Sequence, residues 1–426
     1  MIDAATPAVI LRSGRHGGLC VTRSLGRLGV RVYAADSDPA ALSFYSKYCR
    51  GSFVWDLDNL APEQSVEHLI RIGRQIGRNA VLIPTTDAAA MLVAGYASEL
   101  AHQFVFPHLP VDLAPSLCNK KAMYLLAGSL GVPTPRTCFP ASKCHAAEFA
   151  DEAAFPLILK ISDDTKAKSE AARMKVIVRT KTELLEHYDR MEDPECPNLV
   201  LQEYIAGGED SSWMFNGYFD ENSRCLFGLT GRKLRQHRPY AGITSLGVCE
   251  PNSMVAETTK RFMAAIGYRG VLDIGYRFDA RDGLYKVFDV NPRVGCTFRL
   301  FVSQGGMDVA RAMYLHLTGQ PVDAGEPPVG RKWMVEDLDF ASSLYYWREG
   351  TLTLGDWLAS FKGVQESAFF ANDDLRPAFR VCINDFRQLF RRAGRFLGTP
   401  QRPLECCHER VPVGAGRASG QDADRD

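Results

Sequence analysis

Residues 286–295 read KVFDVNPRVG. An apolar strand pattern here sets Asp289 and Asn291 two apart, so both side chains point to one face. Arg293 follows just past Pro292. A carboxylate beside an amide oxygen is the hard-ligand pair that Mg2+ takes next to nucleotide phosphates. A guanidinium adds a planar fork for phosphate or carboxylate. The same residues also suit an ordinary strand end or a solvated edge, although Lys286 and the apolar neighbours make the strand mostly buried.

Two lysines carry a related signal. Lys120 opens a helix, where a cation gains nothing from the helix dipole. Lys160 ends the apolar strand FPLILK, a costly place for an ammonium unless an anion meets it. Each alone also reads as a lysine whose stem lies on apolar surface with its head in water. In VLQEYIAGGED the strand exits through Gln202, Glu203, Tyr204 and Ile205, whose edge backbone groups suit an adenine. Glu209 lies past the Gly turn, within reach of a ribose, or else the strand simply ends in a turn there.

The elements that must position these residues follow from periodicity. Over the first hundred residues, strands AVILRSG, VRVYAAD, NAVLIPTTD and FVFPHL alternate with helical stretches, as in βαβ units with a parallel sheet. Asn119 caps a helix over 120–130, which Gly131 stops. FPLILKIS and MKVIVRT read as strands, TKTELLEHYDRM as a helix, and SWMFNGYFD and CLFGLTGRKLRQ as antiparallel strands. MVAETTKRFMAAIGYRG is a helix, and GVLDIGYRFD and LYKVFDVNPR form a hairpin around ARDG. Beyond 330 the chain turns aromatic-rich, and from 398 it reads as a disordered tail.

Bulk properties exclude several classes. The 426 residues imply two to four domains, and 50 basic against 50 acidic residues argue for no nucleic-acid partner. No run of eighteen or more apolar residues spans a membrane, and the opening MIDAATPAVILRSG lacks the basic n-region of a signal peptide. The 12 Cys contain no C-x-x-C pair, so buried thiols in a reducing cytoplasm are expected. The loop SGRHGG gives G-x-x-G-G rather than the dinucleotide G-x-G-x-x-G. A tight fold-only turn, an anionic-substrate loop and an NAD(P) site all stay open for it.

The order of these features resembles the ATP-grasp superfamily, and within it the carboxylate–amine ligases of the carboligase type. The resemblance runs over about 8–330 and rests on AVILRSG, NKKAMYLLAGSLGVPTPRT, FPLILK, VLQEYIAGGED and DGLYKVFDVNPRVG. It implies a multidomain α/β and α+β architecture. A Rossmann-like pre-ATP-grasp domain (1–115) precedes a two-part ATP-grasp domain (116–330, with a small subdomain over 116–200 and a large one over 201–330). A helical, aromatic extension (331–397) and the tail (398–426) follow.

The resemblance also implies an activity: ATP-driven amide formation through an acyl phosphate, from a small carboxylate and an amine. Lys120 and Lys160 would contact phosphates, the Gln202–Ile205 backbone would bracket adenine, and Glu209 would hold the ribose. Asp289 and Asn291 would bind Mg2+ (two ions, with Mn2+ able to stand in), and Arg293 would steady the transferring phosphoryl.

Two departures stand out. Relatives place an acidic ligand where this chain has Gly275, so Asp273 is assigned in its stead. The loop SDDTKAKSEAARMK carries Lys166, Lys168, Arg173 and Lys175 where relatives are Gly-rich, and Lys175, entering the next strand, is placed to touch phosphate. Arg232, His237 and Arg299, with Lys233, Arg235 and Arg238, suggest an anionic substrate, a solvated strand edge being equally open. The stripe of Phe379, Ile383, Phe386, Phe390 and Phe396 beside Arg380, Arg387, Arg391 and Arg395 suits packing on the body or contact with an anionic membrane through 378–397. A nucleotide-binding protein without turnover, and an oxidoreductase, are the competing classes.

Overall fold

The computed structural model describes residues 2–383 apart from 58, 78, 163–174, 194, 209–210 and 238–241. The chain divides into two units, Met1–Val381 and Cys382–Asp426, and the first carries every feature below. Glu209, Arg238, the loop lysines 166 and 168 with Arg173, and the basic helix and tail beyond 383 lie outside the described residues.

Five parallel strands form the first sheet: β1 (Ala8–Leu11), β2 (Val32–Asp36), β3 (Cys49–Val54), β4 (Ala80–Pro84) and β5 (Phe104–Val105), in the order β3-β2-β1-β4-β5. The central strand is an unbroken apolar run because helices cover both of its faces. Ala8 and Ile10 pack on α1 (His16–Gly26), and Val9 and Leu11 on α2 (Pro62–Ile76). Strand order reverses at β1, which opens a crevice at the carboxyl ends of β1 and β4. The loop 12–15 and the start of α3 (Asp87–Gly95), which is followed by α4 (Ala97–Leu100), line it.

Two short helices, α5 (Leu113–Cys118) and α6 (Lys120–Ser129), lead onward. The Asn119 side chain accepts from Ala122 N–H and so caps α6. A four-stranded sheet follows, built from β6 (Thr137–Cys138), β7 (Leu157–Ile161), β8 (Val176–Val178) and β9 (Leu199–Glu203) in the order β6-β9-β7-β8. Its apolar face packs on α7 (Lys143–Glu152) and α8 (Lys181–Met191).

The largest sheet joins β10 (Ser212–Phe219), β11 (Cys225–His237), β12 (Ile243–Cys249), β13 (Gly270–Asp279), β14 (Leu284–Asn291), β15 (Lys332–Met334) and β16 (Val364–Ser367). Helices α9 (Ser253–Ala265) and α10 (Val309–Leu317) pack on opposite faces, with α9 beside Phe215 and Ile274 and α10 beside Met214 and Tyr218. The aromatic region past 330 is thus part of the sheet edge, carrying α11 (Glu336–Arg348) and α12 (Leu354–Ser360) between its two strands. Among the described residues no helix is long and apolar enough to cross a membrane.

A buried ionic strap binds the C-terminal part to the first sheet. Arg23 of α1 donates to the Asp374 carboxylate (3.0 Å) and to the carbonyls of Ala368, Phe369 and Asp374. The two side chains are 3% and 1% exposed, so either charge left alone would be strongly penalised. Arg23→Met is therefore expected to lower unfolding stability by about 3 kcal/mol. Urea midpoints check this, with the double variant Arg23→Met/Asp374→Leu expected to recover part of the loss.

Candidate nucleotide and metal site

Strand pairing fixes which side chains meet. Gly275 lies opposite Asp289, and Asp273 opposite Asn291, so all four share one face of the hairpin. The register shifts after Gly275 and leaves Phe288 as the extra residue, a bulge that re-aims a side chain beside a site. Tyr124 of α6 donates its hydroxyl to the Phe288 carbonyl at 3.0 Å and holds that bulge.

Across from the hairpin, Lys160 points inward from β7. Its Nζ donates to Gln202 Oε1 at 2.8 Å and stands 5.6 Å from the Tyr124 ring centre and 6.0 Å from that of Phe288. Gln202 is fully buried, and its amide nitrogen donates to Thr137 Oγ1. Burial lowers the Lys160 pKa to about 7, and the charges of Lys120 and Lys175 push the same way, with Asp289 the opposing influence. Three lysines thus converge near the Asp289 carboxylate, and their mutual repulsion adds to the cost of burying Lys160.

Arg293 connects the hairpin to the first sheet. Its Nε donates to Asp87 Oδ1 at 2.6 Å, at the start of α3, and one terminal nitrogen donates to Asn291 Oδ1 at 3.1 Å. Asn291 Nδ2 in turn donates to Asp289 Oδ2 at 3.2 Å. Sequence reasoning missed Asp87, because an acid in a first helical turn ordinarily answers the dipole. It also missed Asn216, which is fully buried opposite Asp273 and whose amide acts to lower the Asp273 pKa.

The donor set fits Mg2+. The ligands are hard oxygens, and a side chain built at Gly275 would meet only the Asp289 Cβ, at 4.0 Å, so the space beside Asp289 is open. Among the described residues no three His, Cys, Asp or Glu side chains gather around one point. Phosphate and water would complete the shell of a bound Mg2+, which is how that ion is usually held. Asp273 lies one row away, against the Gly295 backbone, and burial raises its pKa while Arg293 opposes the rise.

Several expectations need correction. Arg232 pairs opposite Trp213 and turns to the reverse face of the sheet, where it meets Glu250 at 2.6 Å; strand alternation brings Lys233, not Arg232, to the Asp273 side. Arg299 is buried in a bidentate pair with Glu366 (2.9 and 2.6 Å) and a bond to Asp308, so no substrate anion claims it. Arg235 is likewise held by buried Asp339. His237 ends β11, its Nδ1 buried with no hydrogen-bond partner among the described residues.

The Glu203 and Tyr204 amides donate to Arg136 and Pro156 carbonyls, so those two groups of the edge expected to meet adenine are in use, while Ile205 is buried. The Glu203 side chain pairs with Arg281 at 2.7 Å. In the N-terminal loop, Asp36 accepts from the Gly14 and Asp38 amides, which closes the turn and takes up the carboxylate a dinucleotide ribose would need.

No family model matches the chain. A D-aspartate ligase of Enterococcus faecium (strain Aus0004) is 25% identical over 288 residues, covering 65% of this chain and 68% of that protein. The solved N5-carboxyaminoimidazole synthetase from Staphylococcus aureus has a TM-score of 0.60 at 12% identity, over 78% of this chain and 82% of that one. An L-amino acid ligase from Bacillus licheniformis gives 0.57 at 16% identity, over 78% and 79%. The two structural likenesses establish the shared fold.

Lys160 also links the site to stability. Its folded pKa lies below the ordinary lysine value of 10.5, so the unfolded chain binds more protons between about pH 7 and 10.5. The cost of this lysine to folding therefore grows as pH falls through that window and is complete below about pH 7. Lys160→Met is expected to stabilise the free protein by about 2 kcal/mol near neutral pH and to gain little near pH 10. A thermal shift by MgADP is expected of the wild type and should be lost in this variant, and thermal melts across pH measure both effects.

Proposed function

We propose that this chain is a carboxylate–amine ligase of the ATP-grasp superfamily, to which its relatives and structural neighbours point, and that it joins a small carboxylate to an amine at the cost of ATP, releasing ADP and phosphate. The observation that carries this reading is the convergence of Lys120, Lys160 and Lys175 opposite the Asp289–Asn291 hairpin. A polyphosphate is the ligand that relieves both the burial of Lys160 and its repulsion by two neighbours.

A substrate carboxylate oxygen attacks the γ-phosphorus, and ADP leaves. The amine nitrogen then attacks the acyl carbon, phosphate leaves, and the amine gives up a proton. The chain supplies positioning and charge rather than a nucleophile. Lys120, Lys160 and Lys175 hold the phosphates. The backbone at Tyr204–Ile205 faces the adenine edge, and Glu209 takes the ribose. Arg293 offers its terminal N–H groups to the transferring phosphoryl. Asp289 and Asn291 would hold Mg2+, with Asp273 nearby for a second ion; bound there, the metal neutralises phosphate charge and Mn2+ can replace it. Lys233, on the Asp273 side of the sheet, takes the substrate-facing role in place of Arg232. We assign 1–115 to the preceding α/β domain, 116–330 to the ATP-grasp body and 331–397 to an extension of it, working in a reducing cytoplasm.

Gly275 favours one further reading, a nucleotide-binding protein with little turnover, because it removes a carboxylate from the row that carries Asp289. An ADP-release screen over paired amino acids and small carboxylates separates the two. The ligase reading expects release only when both a carboxylate and an amine are present, with Asp289→Asn lowering it about 100-fold. Full turnover in Asp289→Asn would refute the metal assignment. Gly275→Glu, which the open space admits, is expected to tighten Mn2+ binding about tenfold, read by the electron spin resonance of free Mn2+.

A further inference from the structure

We propose that Asp87 is a positioning residue for phosphoryl transfer, holding Arg293 so that its terminal N–H edge faces the reacting groups. The inference rests on the ligase reading above. Asp87 stands at the carboxyl end of β4, on the crevice where the order of the first sheet reverses, the place where open α/β folds present functional groups. The helix it begins does not need it as a cap, because Thr86 Oγ1 already accepts the Ala89 N–H.

The carboxylate instead reaches Arg293 Nε at 2.6 Å across 206 residues of sequence, with side-chain exposures of 44% for Asp87 and 17% for Arg293. A guanidinium has five N–H donors in a fixed plane. Here Nε serves Asp87, one terminal nitrogen serves Asn291 at 3.1 Å, and the other makes only a long 3.4 Å contact with the Val294 carbonyl. The grip on Nε leaves the outer edge, built from the two terminal nitrogens, directed away from Asp87. That edge is the bidentate fork for a phosphoryl or carboxylate anion.

Asn291 continues the line to Asp289, so one chain of hydrogen bonds runs from the first sheet to the metal face. Cys118, next to the cap of the helix that carries Lys120, lies beside the same charges of Asp87, Arg293 and Asp289. The first sheet thereby acts on chemistry in the cleft through the Asp87 side chain. Ligands outside direct contact that orient a reacting group are commonly worth 10- to 100-fold in activity.

The experiment compares wild type, Asp87→Asn and Asp87→Glu as full chains. MgADP binding is measured by calorimetry, steady-state kinetics with a productive carboxylate–amine pair, binding of MgADP with orthovanadate as the phosphoryl mimic, and melting temperature. The proposal expects Asp87→Asn to lower kcat about tenfold or more and to weaken the vanadate complex in parallel, with MgADP affinity within about twofold of wild type. Asp87→Glu should recover part of kcat. In a double-mutant cycle the Asp87→Asn loss should vanish in the Arg293→Lys background.

Unchanged kcat and vanadate binding in a stable Asp87→Asn protein would overturn the proposal and leave the ligase reading standing. A fall in melting temperature with kcat per folded molecule intact would overturn it as well, by making the pair a staple between sheets. Wild-type protein that binds no MgADP would bring down the ligase reading itself.

Discussion

A buried ammonium group is the constraint around which the cleft is organised. Lys160 sits among Tyr124, Phe288 and Gln202, and burial together with Lys120 and Lys175 brings its pKa down to about 7. No gain in folding explains such a residue, since an apolar side chain would pack there without the desolvation cost. Its neighbours are arranged to make that cost tolerable: Gln202 supplies one acceptor, two aromatic faces lie within cation–π range, and Asp289 contributes the opposing charge. The result is a cluster of positive charge, Lys160 with Lys120 and Lys175, in a chain whose overall charge is balanced. Such a cluster is settled by an anion, and the hairpin opposite offers the partner for that anion's cation.

The three sheets divide this work by their geometry. Antiparallel pairing in the largest sheet aligns Asp273, Gly275, Asp289 and Asn291 on one face, and the bulge at Phe288 turns an aromatic ring toward Lys160. The four-stranded sheet carries Lys160 and Gln202 on adjacent strands, so the ammonium is fixed by a cross-strand bond rather than by a loop. The first sheet contributes Asp87 at a strand end, and the Arg23–Asp374 strap keeps that sheet joined to the C-terminal segment. Rigid elements therefore set the positions of groups that must meet within tenths of an ångström.

How much of this could be read in the sequence follows from the range of each signal. Local periodicity exposed β1, β4, β7, the Asn119 cap and the hairpin, because strand alternation and capping act over a few residues. The Asp289–Asn291 pair was legible for the same reason. Arg232 shows the limit: alternation says that it and Lys233 face opposite ways, yet which of them faces the cleft depends on its pairing with Trp213 of β10. Arg299 looked available because its partners Glu366 and Asp308 could not be placed beside it, the first being 67 residues away. The three- and four-residue strands β15 and β16 carry no periodicity and gain their form from pairing, β15 to β12 and β16 to β15. Asp87 was invisible for want of a contact 206 residues distant.

The most direct test of the account is the proton balance of nucleotide binding. Titrating MgADP into the protein at pH 7, in buffers of different ionisation enthalpy, measures protons taken up on binding. With Lys160 near half-protonated in the free protein, phosphate contact should raise its pKa and draw in about half a proton, an uptake that fades toward pH 5. Binding with no proton uptake at pH 7, or no binding at all, would contradict the assignment of the three lysines to a polyphosphate site.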